Sequence, residues 1–209
     1  MNHRRTAGLG LLVYGIGTAV PFAAIGVPGG TYEPAKVAAY LSQGHALSTF
    51  GLAYLGLFAA LGLLAFGQGI RPELGRWGDT AWALSVAGLA LALVGWFVGA
   101  GVVVATAEGG PAITAGIPLP VAHTIGEIAG LLAGCAPAFC IGVVALLMTR
   151  APLPGWLRVF TAVAAVCGIL APLYFTFFVY LLWTLVCGVA LAASRTPVAS
   201  SASVLNVPA

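Results

Sequence analysis

Charge is what this sequence has least of. Only 6% of its 209 residues are charged, 8 basic and 5 acidic, where a soluble domain carries about 25%. So few charges cannot clothe a water-facing surface. The rest agrees: 61% of residues are hydrophobic and the mean hydropathy is +1.07. A net charge of +3 is too small to imply a nucleic-acid partner.

Other absences narrow the chemistry. Lysine occurs once, at Lys36, so no apolar run carries one for a retinal Schiff base. There is no DDxxD-type carboxylate pair for diphosphate and magnesium, no Walker or Rossmann glycine motif, and no Ser/His/Asp set in an apolar run. The four cysteines, Cys135, Cys140, Cys167 and Cys187, form neither CxxC nor a Cys/His ligand spacing, and read as small apolar packing residues. The three histidines give no HxxxH or HExxH. Neither a metal nor a cofactor is expected.

What the chain does have is long apolar runs. They predict an all-α, polytopic transmembrane bundle of six spans at approximately 7–28, 46–69, 80–106, 122–148, 157–173 and 175–194. The stretch from Val159 to Ala193 contains no charge and would be about 50 Å long as one helix, too long for one crossing. Pro172 breaks the hydrogen-bond ladder, so a hairpin is expected near Ala171–Thr176.

Arginine sets the orientation. Arg4, Arg5, Arg71, Arg76, Arg150, Arg158 and Arg195 all fall on one side of a six-span arrangement, and Lys36 on the other. The positive-inside rule places both termini in the cytoplasm of a bacterial plasma membrane. The basic start "MNHRR" with its apolar run reads as a first span, not a removed signal peptide. Residues 1–195 read as one transmembrane domain and 196–209 as a disordered cytoplasmic tail. A short surface helix is expected from Pro34 to Leu41, and a Gly- and Pro-rich loop between spans three and four. Asp79, ahead of "TAWAL", reads as a helix N-cap near Glu73 and the inner arginines.

The fourth span, "PLPVAHTIGEIAGLLAG", carries a carboxylate in an apolar setting. At about 100° per residue His123, Gly126, Glu127, Gly130, Gly134 and Pro137 share an arc of about 100°, while Ile125, Ile128 and Leu132 point elsewhere. Small residues four apart let helices approach closely, so this face is expected to look into the bundle and carry Glu127 inward. A carboxyl buried in a membrane is costly when ionised and is a functional candidate by default. Held neutral, it could donate a proton. Glu108 and His123 are its expected tuning partners. The plainer alternative is that Glu127 sits one turn inside the interface and bonds His123 or loop backbone. Glu33 and His45 fall on the same outer side.

Aromatics form a second group. Tyr174, Phe175 and Phe178 occupy one arc of the last span, while Phe177, Tyr180 and Trp183 point elsewhere. Span three adds Trp96 and Phe97, and span two Tyr54 and Phe58. Aromatic faces stabilise cations, so Trp96, Tyr54, Tyr174, Phe175 and Phe178, with His45, are the expected substrate-binding set. Interfacial belts and lipid-facing packing account for aromatics equally well.

The segment "LPGWLRVFTAVAAVCGILAPLYFTFFVYLLWTLVCGVALA" resembles small six-helix actinobacterial membrane proteins of unassigned function, in which two closing helices follow a Pro–aromatic–Leu start. In length and sparse acidic residues the chain is also similar to the bacterial integral-membrane terpene cyclases. That resemblance implies acid-initiated cyclisation of an isoprenoid; no diagnostic motif matches, so no residue role is carried over. Two functions stay open. One is a membrane enzyme, a cyclase or isomerase, that protonates a lipophilic isoprenoid-type substrate through Glu127. The other is a non-catalytic membrane protein: an accessory subunit, a lipid binder or a small transporter. Membrane lipids are partners of either. An aromatic pocket of several hundred Å³ touching Glu127 would favour the first, a filled core the second.

Overall fold

The computed structural model describes residues 3–24, 46–108, 118–173 and 175–194. Among them there is helix and connecting turn, and no strand. The helices are α1 (His3–Ala24), α2 (Ala46–Ala60), α3 (Gly62–Ile70), α4 (Gly78–Glu108), α5 (Leu119–Met148), α6 (Gly155–Ile169) and α7 (Phe175–Ala193). Four stretches are long and apolar enough to cross a bilayer: His3–Ala24, Phe50–Val102, Thr124–Met148 and Phe175–Ala193. Gly155–Ile169 is a shorter apolar helix.

Phe50–Val102 is not one rod. The helix is interrupted at Leu61, where the amide of Leu64 reaches back three residues to the Leu61 carbonyl at 3.0 Å. After Ile70 the chain runs through a 3₁₀ segment, Arg71–Trp77, and turns at Gly75, whose φ of 52° and ψ of −120° suit a residue without Cβ. It then returns as α4, packed against α2 and α3. A second reversal follows Leu170. Ala171–Leu173 forms a 3₁₀ turn holding Pro172, and the Thr176 hydroxyl donates to the Leu170 carbonyl at 2.7 Å. The hairpin expected from Pro172 is therefore present. The Pro34–Leu41 helix, the 109–117 part of the next outer loop and the 196–209 tail lie outside the described residues.

The most extensive pairing is α4 with α5, while α1 lies against α3 and α7. The packing depends on small residues, as it does where lipid supplies no hydrophobic drive between helices. A methyl added at Gly10 of α1 would sit 2.5 Å from the Gly62 carbonyl oxygen and 2.6 Å from the Phe66 amide. One added at Gly69 would lie 2.5 Å from both the Ala7 amide and the His3 carbonyl. These backbones nearly touch.

The space between them is filled by large side chains. Leu11, Tyr14, Leu63, Phe66, Ile141, Met148, Tyr180 and Trp183 are all essentially inaccessible. The Trp183 indole donates to the Thr161 hydroxyl at 3.0 Å, so its one polar atom is paired in the core. Outside, the pattern inverts: Phe58, Val94, Val159 and Phe178 are all more than half exposed. Apolar side chains on the inside and outside alike are what a bilayer solvent permits.

At the end where the arginines gather, ion pairs tie elements together. Arg4 grips Glu73 with two bonds, Nε to Oε1 at 2.9 Å and Nη2 to Oε2 at 2.7 Å, fastening the start of α1 to the Arg71–Trp77 turn. Arg71 Nε donates to Asp79 Oδ1 at 2.8 Å. Asp79 is thus an ion-pair partner inside the first turn of α4, where the helix dipole also favours an anion, and not the N-cap expected from sequence. The Arg76 guanidinium lies 5.2 Å from the centre of the Trp77 ring.

Candidate functional site

Two places compete as a site: the far end of α5 around Glu127, and the arginine end of α1. They are built very differently.

Glu127 stands two turns into α5, and its side chain is exposed. Its neighbours Ile125, Ile128 and Leu131 are 38%, 53% and 43% exposed. A methyl added at Gly126 or Gly130 would meet no described atom within 4 Å. Among the described residues no helix faces the small-residue stripe at this end, where the spacing had been expected to carry Glu127 inward. The stripe is covered one turn further on: a methyl at Gly134 would come within 2.7 Å of the Phe22 ring. His123 and Glu108 lie in helix, but their side chains are outside the description, and His45 and Tyr174 are outside it entirely.

The structure disperses the expected aromatic set. Phe175 and Phe178 point outward, 85% and 56% exposed. Tyr54 is also exposed, with Phe58 at 6.5 Å and Phe97 at 6.4 Å between ring centres. Only Trp96 of the described members is buried, over Gly56 and 5.8 Å from Phe22. The rings that do converge are others. Phe22, Phe177, Tyr180 and Trp183 follow one another through the core at 5.4, 6.2 and 6.0 Å. Within this row the Tyr180 hydroxyl meets that of Tyr14 from α1 without a well-formed hydrogen bond to any described group. The helical arc of α7 could have shown this row, because Phe177, Tyr180 and Trp183 share a face at spacings of three.

No protein-family model, curated protein or solved structure matches the chain. Its own geometry therefore decides the reading.

That geometry is clearest at the arginine end, where a groove of about 760 Å³ opens on the outer surface between α1 and the α2–α3 break. Arg5, Leu9 and Val13 form one wall at helical spacing, with Thr6 and Gly10 beside them. Phe58, Leu61, Gly62 and Ala65 form the other. The floor is the Gly10–Gly62 contact, where two backbones meet with no side chain between them. Phe58 and Leu61, three residues apart on one helical face, are 66% and 46% exposed and flank it. Apolar walls with a few polar groups, here Arg5 and Thr6 at one end, are the usual make-up of a site for a lipophilic molecule.

The charged group of the lining is Arg5. It is exposed and makes no ion pair or hydrogen bond with a described residue. Its neighbour Arg4 is committed to Glu73, whose carboxyl is held below its ordinary pKa by the Arg4 hydrogen bonds, against a smaller opposing effect of burial. Both described acids at this end are thus occupied by other arginines. Sequence reasoning used Arg5 only as a topology marker; its i, i+4, i+8 alignment with Leu9 and Val13 was the available signal.

Proposed function

We propose that the chain is a six-crossing helical protein of the bacterial plasma membrane, with both termini on the cytoplasmic, arginine-bearing side, and that it binds a lipophilic molecule of the bilayer in the groove between α1 and α2–α3. The observation that carries this is the groove: about 760 Å³, apolar along its length, floored by bare backbone and open to the surrounding lipid. The arginines at one end of the helices support the orientation. In the six-crossing arrangement α6, at 15 residues or about 22 Å, is a short crossing that the membrane accommodates by local thinning.

Acid-initiated cyclisation at Glu127 is the weaker reading. General acid catalysis of this kind needs a carboxyl in a water-poor enclosure with aromatics around it. Around Glu127 the side chains of Ile125, Ile128 and Leu131 are exposed, and the converging rings lie elsewhere and are packed against one another.

Mass spectrometry of the intact protein released gently from membranes distinguishes them. Groove binding predicts co-purifying lipid whose retention falls when the exposed Val13 is enlarged, in Val13→Trp. A lipid-free wild type, together with turnover of a prenylated substrate that is abolished in Glu127→Gln, would restore the enzyme.

A further inference from the structure

We propose that the groove occupant is an anionic glycerophospholipid of the adjacent leaflet, with its phosphate on Arg5 and one acyl chain along the Gly10–Gly62 floor. This rests on the groove being a ligand site, and adds the headgroup charge and the direction in which the lipid lies.

The charge arrangement selects the headgroup. Arg4 and Arg71 neutralise Glu73 and Asp79, leaving Arg5 as a guanidinium at the groove's mouth with no carboxylate of the described chain upon it. A guanidinium presents a planar fork of donors matched to phosphate oxygens. Arginine close to a membrane surface is attracted to anionic lipid, and Arg5, at the third residue of α1, is placed at that depth.

The lining selects the tail. Moving along α1 from Arg5, the wall becomes Leu9 and then Val13, and the facing wall is Ala65, Leu61 and Phe58. Polarity thus drops in one direction only, from the helix start towards the membrane interior. Only a molecule with its charge at one end satisfies both halves. The glycines keep the floor shallow: Cβ atoms at Gly10 or Gly62 would collide with the facing backbone, so α1 and α3 meet there without side chains between them.

The test titrates the full-length protein in detergent with phosphatidylglycerol or phosphatidylcholine, counting bound lipids by native mass spectrometry. Wild type, Arg5→Gln and Val13→Trp are compared, with Leu61→Trp as a second way to fill the groove from an exposed position. One surface arginine predicts a preference for phosphatidylglycerol of about fivefold. Arg5→Gln should abolish that preference, lowering phosphatidylglycerol binding more than phosphatidylcholine binding, while both tryptophan variants should lower the binding of both lipids. Equal binding of the two lipids by wild type, or an unchanged preference in Arg5→Gln, would overturn the anionic assignment and leave the groove standing. Binding of both lipids that neither tryptophan variant disturbs would remove the groove as their site.

Discussion

The two ends of this bundle use the same residue for opposite ends. At the arginine end Gly8, Gly10, Gly62 and Gly69 each abut the backbone of a neighbouring helix, so closely that no side chain fits. At the other end Gly51, Gly101, Gly126 and Gly130 have no described neighbour within 4 Å of where a Cβ would stand. The ion pairs Arg4–Glu73 and Arg71–Asp79 both belong to the first end. A stripe of small residues is a condition for close helix approach, not its cause. Approach also needs a facing stripe, which Gly10 finds in Gly62 and Gly130 does not find among the described helices.

The largest effect expected from breaking this contrast is steric. Gly62→Leu should destabilise the protein by about 1–3 kcal/mol or more, because a side chain must displace the backbone of α1. Gly130→Leu should stay within about 0.5 kcal/mol, as substitutions in open positions do. Thermal unfolding in one detergent measures both. Equal losses would show that the two ends are equally tight.

A smaller effect is electrostatic. Glu73→Gln should cost about 1 kcal/mol, since the pair is only partly shielded from water. Its pH dependence has a definite sign. The folded Glu73 carboxyl is lowered by Arg4, so its contribution is complete above the ordinary carboxylate pKa and is lost as pH falls through the lowered folded value. Unfolding followed from neutral to acid pH should therefore show wild type converging on Glu73→Gln. A gap that widens on acidification would contradict the pairing.

Much of the fold was legible because the signals are coarse. Apolar runs near twenty residues became helices, and Pro172 marked a reversal, because one missing amide decides there whether a helix continues. The interruption at Leu61 was not legible, since the sequence around it is apolar and contains no proline. The inward reading of Glu127 depended on a helical wheel, which gives the angle between residues but not the distance to the next helix. Phe177, Tyr180 and Trp183 were set apart from the Phe175 arc but not read as a row, and which arc of α7 faces the core is set by α1, through Gly8 and Gly188. The groove needed two helices at once, and neither wall of its lining is unusual alone.

The most direct measurement is a structure of the full-length protein in nanodiscs containing phosphatidylglycerol, at a resolution that shows ordered acyl chains. Lipid binding at the groove predicts a continuous chain over Gly10 and Gly62 between Val13 and Leu61, ending in headgroup density at the Arg5 guanidinium. A groove filled by another segment of the chain, with an ordered lipophilic molecule enclosed around Glu127 instead, would contradict it.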